Sequence, residues 1–160
     1  MGPGRYQGGG GDRALNTLDI ALLALKRSER WIESAKRGLS DSRWDDAVYS
    51  AQMCSEHAAK AVLISLGIDF PRQHDVSDVF VTLKDRRDLP SDFRGKVEDM
   101  VEKLASLAAE RALAGYGFEG GIGVEYFEKV APDAIEDAEF ILQHCRKFVI
   151  EVFGVEKELS

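Results

Sequence analysis

The sequence has few cysteines, no long apolar run and fewer basic than acidic residues. Its longest apolar candidate, residues 20–25, is far shorter than the roughly 18 residues that cross a bilayer, so we expect no membrane span. Cys54 and Cys145 lack the spacing of a disulfide framework. This absence favours free, buried thiols and a cytoplasmic protein. The net charge of -7 disfavours broad, non-specific binding of nucleic acid but allows a local basic cleft.

The start of the chain also lacks large side chains. Residues 1–11, MGPGRYQGGGG, bury too little surface to offset the entropy of ordering glycine, and they lack the apolar core of a signal peptide. We therefore expect a disordered, Gly-rich lead-in over 1–11. The 44% hydrophobic content of the 160 residues suits one core, which predicts one domain over 12–155 and a tail over 156–160.

The most informative segment lies near the middle of the chain, at residues 43–75. Apolar or small residues recur there with the spacing of a core-facing helix, namely Trp44, Ala47, Val48, Ala51, Ser55, Ala58, Ala59, Val62 and Leu66. A second apolar stripe, Tyr49, Met53 and Ile64, lies on the opposite side. This helix is therefore expected either to be central or to meet another chain with its second face.

Gln52, Glu56 and Lys60 lie between the two stripes at i, i+4 and i+8. The order of Glu56 and Lys60 favours an intrahelical ion pair, which is worth roughly 0.2–0.5 kcal/mol. The simplest interpretation is a solvated polar ladder, and the alternative is that Glu56 and Lys60 contribute to a binding site.

Periodicity and turn residues predict helices on either side of this segment. The first helix runs from Asp12 or Asn16 to a stop at Gly38, and the fourth runs from about residue 91 to Leu113. The second helix is expected to have its cap at Ser40 or Asp41 and its stop at Gly67. A third helix over 75–87 has Asp75 as its expected cap. A fifth helix is expected to have Pro132 in its first turn and to end at Gly154. The predicted fold is all-α, an antiparallel up-down bundle of about five helices.

These elements carry the pattern of a known family. The run AQMCSEHAAKAVLISLGIDFPRQHDV, residues 51–76, places Gln, Glu and Lys on one helix, then a Gly, a Pro-containing turn and a His-Asp pair. Downstream come ERALAGYGFE, EYF and a last long helix. In this order of parts the chain resembles the HEPN family, small all-helical domains of bacteria and archaea, over about residues 13–153.

The resemblance also implies a site. Ribonuclease members of the family carry an Arg followed four to six residues later by His, whereas Arg111 is followed by Tyr116 and the next histidine is His144. Histidine exchanges protons near neutral pH, and tyrosine, with an ordinary pKa of about 10, is poorly suited to that task. We therefore expect Arg111 to bind a phosphate and Tyr116 to stack on a base, with RNA or nucleotide binding retained and cleavage doubtful.

Family members often act as the toxin half of a toxin and antitoxin pair with a minimal nucleotidyltransferase. The resemblance accordingly implies a homodimer with that kind of partner, in the cytoplasm. Arg111 would be the candidate catalytic residue of its cleft. The candidate ligand-binding residues are Arg111, Tyr116, Glu56, Lys60 and His74.

Other interpretations of the same residues stay open. Arg111 could be a cation at a helix C-terminus or the partner of Glu110 or Glu119, and His74 could tie a turn to the bundle. The protein would then be a non-catalytic helical protein-interaction module. A further alternative is a degenerate, metal-independent ribonuclease that uses Arg111 with Tyr116 or His74.

Two weaker patterns predict no additional site. Gly115, Gly117 and Gly120 spell GxGxxG, but no strand pattern precedes them, so we expect them to end a helix rather than to bind a dinucleotide. Four zinc ligands drawn from the two cysteines, His57 and His144 would need distorted geometry. We predict neither a metal nor a cofactor.

Overall fold

The structure, a computed structural model, describes residues 16–154, and most of that range is helical. The helices are α1 (Thr17–Ser40), α2 (Trp44–Ser65), α3 (Ser77–Phe80), α4 (Ser91–Arg94), α5 (Val97–Tyr116) and α6 (Phe127–Phe153). No strand occurs within 16–154, which confirms the all-α class. The lead-in at 1–11, the domain limits and the tail at 156–160 lie outside the described residues and stay predictions.

Pairs of contacts give the direction of each long helix. Gly38 of α1 abuts Ala47 at the start of α2, while Ser28, ten residues earlier, donates its hydroxyl proton to the Cys54 carbonyl further along α2, at 2.7 Å. Because the partner advances along α2 as the chain steps back along α1, the two helices are antiparallel.

Helices α1 and α6 are antiparallel for a similar reason. Lys36 forms an ion pair with Glu139 at 2.9 Å, and the earlier Glu29 pairs with the later Arg146 at 3.2 Å. These exposed pairs are each worth at most about 1 kcal/mol, so they mark the register of the two helices more than they stabilise it.

Contacts of α5 complete the bundle. Its Lys103 lies 4.7 Å from the ring centroid of Phe140 in α6, and Glu110, further along α5, accepts a hydrogen bond from Tyr126, which directly precedes α6, at 3.1 Å. Helices α5 and α6 therefore run in opposite directions, and the four long helices form the predicted up-down bundle.

Helix α2 lies at the centre of this bundle, against α1, α5 and α6. Its alanines are fully buried, which lets neighbouring backbones approach closely: Ala47, Ala51, Ala58, Ala59 and Ala61. Of the two alternatives for the second apolar stripe, the central position is observed for most of α2, although Tyr49 of that stripe stays partly exposed. Within residues 16–154 no helix has the length and apolarity required to cross a membrane.

The predicted end of the first helix is wrong. Helix α1 continues through Gly38 to Ser40, and Arg43, not Ser40 or Asp41, is the N-cap of α2. Gly38 is buried against α2, and a Cβ added to it would lie 3.3 Å from the backbone nitrogen of Ala47. The glycine therefore permits close helix packing. Gly67, by contrast, follows α2 with a φ of 71° and ends it as predicted.

Helices predicted as single elements are interrupted further on. The third helix is only α3 followed by a 3-10 turn over Val81–Asp85, and the fourth is divided into α4 and α5 around Gly95 and Lys96. Asp75 does accept a hydrogen bond from the Ser77 N–H at 2.9 Å, which supports the start of α3 much as a cap would.

The position of Pro132 also differs from the prediction. Helix α6 begins five residues earlier, at Phe127, so the proline lies in the second turn and not in the first. Its missing N–H leaves the Glu128 carbonyl without a helical donor. Glu128 is exposed, which allows water to take that place.

The close approach at Gly38 yields a stability prediction. Gly38→Val should lower the free energy of unfolding by about 1–3 kcal/mol, the range for overpacking, because its side chain would push against Ala47. The matched control is Gly115→Val, since a Cβ at Gly115 meets no atom within 4 Å. Urea denaturation followed by circular dichroism measures both. Equal stability of the two variants would contradict the close contact.

Candidate functional site

Arg111 extends from α5 across the face of Tyr49 in α2. The guanidinium carbon lies 4.5 Å from the centroid of the Tyr49 ring, and one terminal nitrogen donates a hydrogen bond to the phenol oxygen at 3.1 Å. Cation–π contact at such a partly exposed site is worth about 0.5–1 kcal/mol. The two contacts fix the plane and position of the guanidinium while leaving most of its five donors free.

The ordinary alternatives for Arg111 are not observed. Arg111 forms no ion pair with Glu110, Glu119 or any other carboxylate of residues 16–154. Helix α5 runs past the predicted end at Leu113 to Tyr116, so Arg111 lies more than one turn from the C-terminus and its dipole. Its Nε atom is buried, with no hydrogen-bond partner in that range.

A second polar cluster, the Glu56 network, joins α2 to the loop that follows it. The Glu56 carboxylate accepts hydrogen bonds from Lys60 Nζ at 2.7 Å, His74 Nδ1 at 2.8 Å and Gln52 Nε2 at 3.2 Å. Gln52 also donates to the His74 carbonyl at 3.0 Å. Glu56 and Gln52 are buried, so the interpretation as a solvated ladder is wrong, although the expected ion pair of Glu56 with Lys60 is present.

The network keeps a buried carboxylate ionised. Burial by itself raises the pKa of the Glu56 carboxyl, but hydrogen bonds from Lys60, His74 and Gln52 and the charge of Lys60 outweigh it and hold the pKa below its ordinary value. His74 is half exposed at 49%. It connects the turn to the bundle, and it is also an oriented imidazole beside a carboxylate.

The Arg111 and Glu56 clusters share one face of α2. Tyr49 and Glu56 are seven residues apart, which places them in nearly the same direction and about 10 Å apart along the axis. Glu56, Lys60 and His74 are thus in direct contact, whereas Arg111 stands about two turns away.

Tyr116 is not joined to either cluster. It follows Arg111 by five residues on α5, which turns it about 140° around the helix axis, and 68% of it is exposed. Its side chain makes no hydrogen bond or ring contact within the described part of the chain. A cleft that contains both Arg111 and Tyr116 is therefore not closed by one chain alone.

Sequence reasoning missed Tyr49 as a partner of Arg111. Its only signal was membership of the second stripe on α2, which equally fits core packing. Beyond Tyr49, large apolar side chains stay exposed around the connection from α5 to α6: Tyr116, Phe118, Val124 and Tyr126. An exposed apolar group of this kind usually marks a binding surface.

The glycines at and after the end of α5 have structural positions. Gly115 lies within α5, Gly117 is its C-cap, and the left-handed φ of 87° belongs to Gly121. With no strand among residues 16–154, a Rossmann-type phosphate loop has no support there.

The cysteine and histidine residues do not converge. Cys54 and Cys145 are free and buried, and burial raises the pKa of the Cys54 thiol to about 12. His57 Nδ1 lies 2.7 Å from the Met53 carbonyl, while His144 packs on Phe140 at 4.4 Å. Within the described range, no three His, Cys, Asp or Glu side chains form a group able to hold a metal ion.

Comparisons with known proteins identify a family and a relative of this chain. A protein-family model described as the HEPN domain matches residues 21–148, a span that includes Arg111, Tyr116 and the Glu56 network. A curated protein of Methanocaldococcus jannaschii, named "Putative toxin MJ1304", is 33% identical over 146 residues; the alignment covers 88% of this chain and 95% of that protein.

The Glu56 network predicts a pH dependence of stability. Because the folded pKa of Glu56 lies below its ordinary value of 4.5, its stabilisation is complete above that pH and is lost as the pH falls through the folded pKa. Glu56→Gln should unfold more easily at pH 7, by about 1–3 kcal/mol, and the difference from wild type should shrink at a pH of about 3, below the ordinary pKa of Glu. Urea denaturation at several pH values measures this, with the exposed Glu98→Gln as control. If the difference in unfolding free energy between wild type and Glu56→Gln were the same at every pH, the lowered pKa of Glu56 would be contradicted.

Proposed function

The chain belongs to the HEPN domain family, as its motif predicted, and on that basis we propose that it is a toxin-like protein that binds RNA or a nucleotide as a homodimer. One observation carries the proposal: Arg111 is held in place by an aromatic ring and not by a carboxylate. The terminal nitrogens of a guanidinium positioned in this way keep N–H donors beyond the one used by Tyr49, which suits a phosphate.

Binding is better supported than cleavage. Cleavage of RNA through its own 2′-OH needs a group that removes the hydroxyl proton and another that protonates the leaving oxygen. The family histidine is replaced by Tyr116, and His74 belongs to the Glu56 network, about 10 Å along α2 from the Tyr49 that holds Arg111. Within one chain, Arg111 and the His74 imidazole are therefore not arranged around a single phosphate.

The dimer is proposed to form across the exposed surface at the connection from α5 to α6. Phe118 and Tyr116 are 71% and 68% exposed there, and association of two chains would remove these large rings from water. It would also bring a second Tyr116 and a second Glu56 network towards the Arg111 cleft.

The proposed protein partner is a minimal nucleotidyltransferase in the cytoplasm, with this chain as the toxin-like half. Its support is the family assignment together with the name of the relative, which describes a toxin. A partner that modifies or covers the Arg111 surface would control access of RNA to it.

Two other functions remain candidates, each on one observation. The exposed rings around Phe118 also suit a pure protein-interaction module, in which Arg111 only packs on Tyr49. The contact of His74 with Glu56 suits a degenerate ribonuclease, since an imidazole oriented by a carboxylate can transfer protons.

RNA binding by purified protein tests the proposal. Wild type should bind a mixed pool of RNA without cutting it efficiently, and Arg111→Ala should weaken binding because it removes the fork. Tyr49→Phe should have a smaller effect, because the ring stays and only the hydrogen bond to the phenol oxygen is removed. A gel-shift assay and a cleavage assay on the same samples measure both activities.

The control for this experiment is Arg87→Ala, which removes an exposed arginine elsewhere. Cleavage that disappears in Arg111→Ala and persists in Arg87→Ala would establish the degenerate ribonuclease instead. Absence of both binding and cleavage would contradict the proposal and favour the interaction module.

Sedimentation velocity at micromolar concentration tests the dimer. We expect wild type to sediment as a dimer and Phe118→Asp as a monomer, since the substitution introduces a charge into the proposed interface. Leu23→Asp is the matched control, because Leu23 is also largely exposed, at 53%, but lies on α1. A monomeric wild type would remove the proposed two-chain cleft.

A further inference from the structure

A wide groove follows the solvent-facing side of α1 and has a volume of about 520 Å³. We call it the arginine groove, after its lining residues Arg27, Arg30, Trp31, Glu33, Ser34 and Arg37. Neither the family motif nor the Arg111 cluster includes any of them.

The arginines of this groove lie on one side of α1 and form no ion pair within residues 16–154. Arg27, Arg30 and Arg37 recur at i, i+3 and i+10, which keeps them within one side of the helix over about 15 Å. All three are exposed, and none forms an ion pair with a carboxylate in the range 16–154. Three free guanidinium groups in a row, in a chain of net charge -7, form a local site for a polyanion.

Trp31 adds a stacking surface between these charges. It is only partly buried, and its ring centroid lies 6.3 Å from that of Tyr49, the residue on which Arg111 rests. A second groove of about 330 Å³ is lined by Trp31, Tyr49 and Arg37, and also by Asp41 and by Asp46, which forms an ion pair with Arg43 at 2.6 Å. The surface is therefore continuous from the arginine groove to Arg111.

We propose that single-stranded RNA lies along the arginine groove and reaches the Arg111 site over Trp31 and Tyr49. Arg27, Arg30 and Arg37 bind successive phosphates, and Trp31 stacks on a base. The inference rests on the proposed function and names its substrate as a single strand, because stacking requires bases that are not paired.

The chemistry of the groove favours RNA over an acidic protein segment. Carboxylates of a protein would satisfy the arginines but would leave the exposed part of the Trp31 ring, beyond its contacts with Tyr49 and His57, without a further planar partner. Bases supply such a partner with any sequence, and each stacked base strengthens binding. Glu33, the carboxylate that lines the groove, repels a phosphate at its own position and so restricts the path to the arginine side.

Fluorescence anisotropy with labelled oligouridylate at several salt concentrations tests the path. Arg27→Gln/Arg30→Gln should bind more weakly, and the slope of log affinity against log salt should fall in magnitude by about 1.4, that is, about 0.7 for each phosphate of a single strand that the protein no longer neutralises. The control Arg87→Gln/Lys96→Gln removes the same charge from exposed positions outside the groove and should leave the slope unchanged.

Intrinsic fluorescence tests the stacking. The chain has only two tryptophans, so Trp44→Phe leaves Trp31 as the sole indole. Oligouridylate should quench its emission, and heparin, a polyanion without bases, should not. Equal effects of both polymers would overturn base stacking and assign the groove to acidic partners in general.

The outcomes separate this inference from the proposed function. If wild type binds no RNA, both are wrong. If RNA binding depends on Arg111 but the Arg27→Gln/Arg30→Gln protein keeps the wild-type affinity and salt slope, the path along α1 is wrong and the function of Arg111 stands. A reduced slope together with quenching of Trp31 supports the path.

Discussion

The structure depends on the burial of α2 among three other helices. A helix enclosed in this way must have small residues wherever a neighbouring backbone approaches, and its alanines, together with Gly38 on α1, meet that requirement. It must also pair any charge that it carries into the interior. Glu56 meets this second requirement by accepting hydrogen bonds from three side chains at once.

The Glu56 network links the family motif to physical chemistry. The Gln, Glu and Lys of one helix and the His of the following turn are separate in the motif but form a single cluster around one buried carboxylate. Such a network attaches the loop of residues 66–76 to the bundle. The order of parts in the sequence is therefore first a requirement of folding, and any catalytic use of His74 would be added to that role.

Function is carried by the surfaces that the bundle leaves open. Arg111 rests on a ring from α2, and the arginines of α1 stand along a groove that leads to it. Because acidic residues outnumber basic ones in the chain, the proposal places an anionic ligand at these guanidinium groups, which form no ion pair among residues 16–154. The exposed rings beyond α5 are the apolar surface on which the proposed dimer depends.

The sequence by itself determined what depends on neighbours along one helix: the all-α class, the core-facing stripe of α2, the Glu56–Lys60 pair and the stop at Gly67. Such features follow from a period of 3.6 residues and from local backbone preferences. The tertiary structure alone decided that Gln52 and Glu56 are buried, that Gly38 is a packing contact, and that Tyr49 lies under Arg111, 62 residues away. Those facts depend on how each helix is turned about its axis and how the helices cross. A local sequence pattern does not specify these angles closely enough to say which two side chains meet.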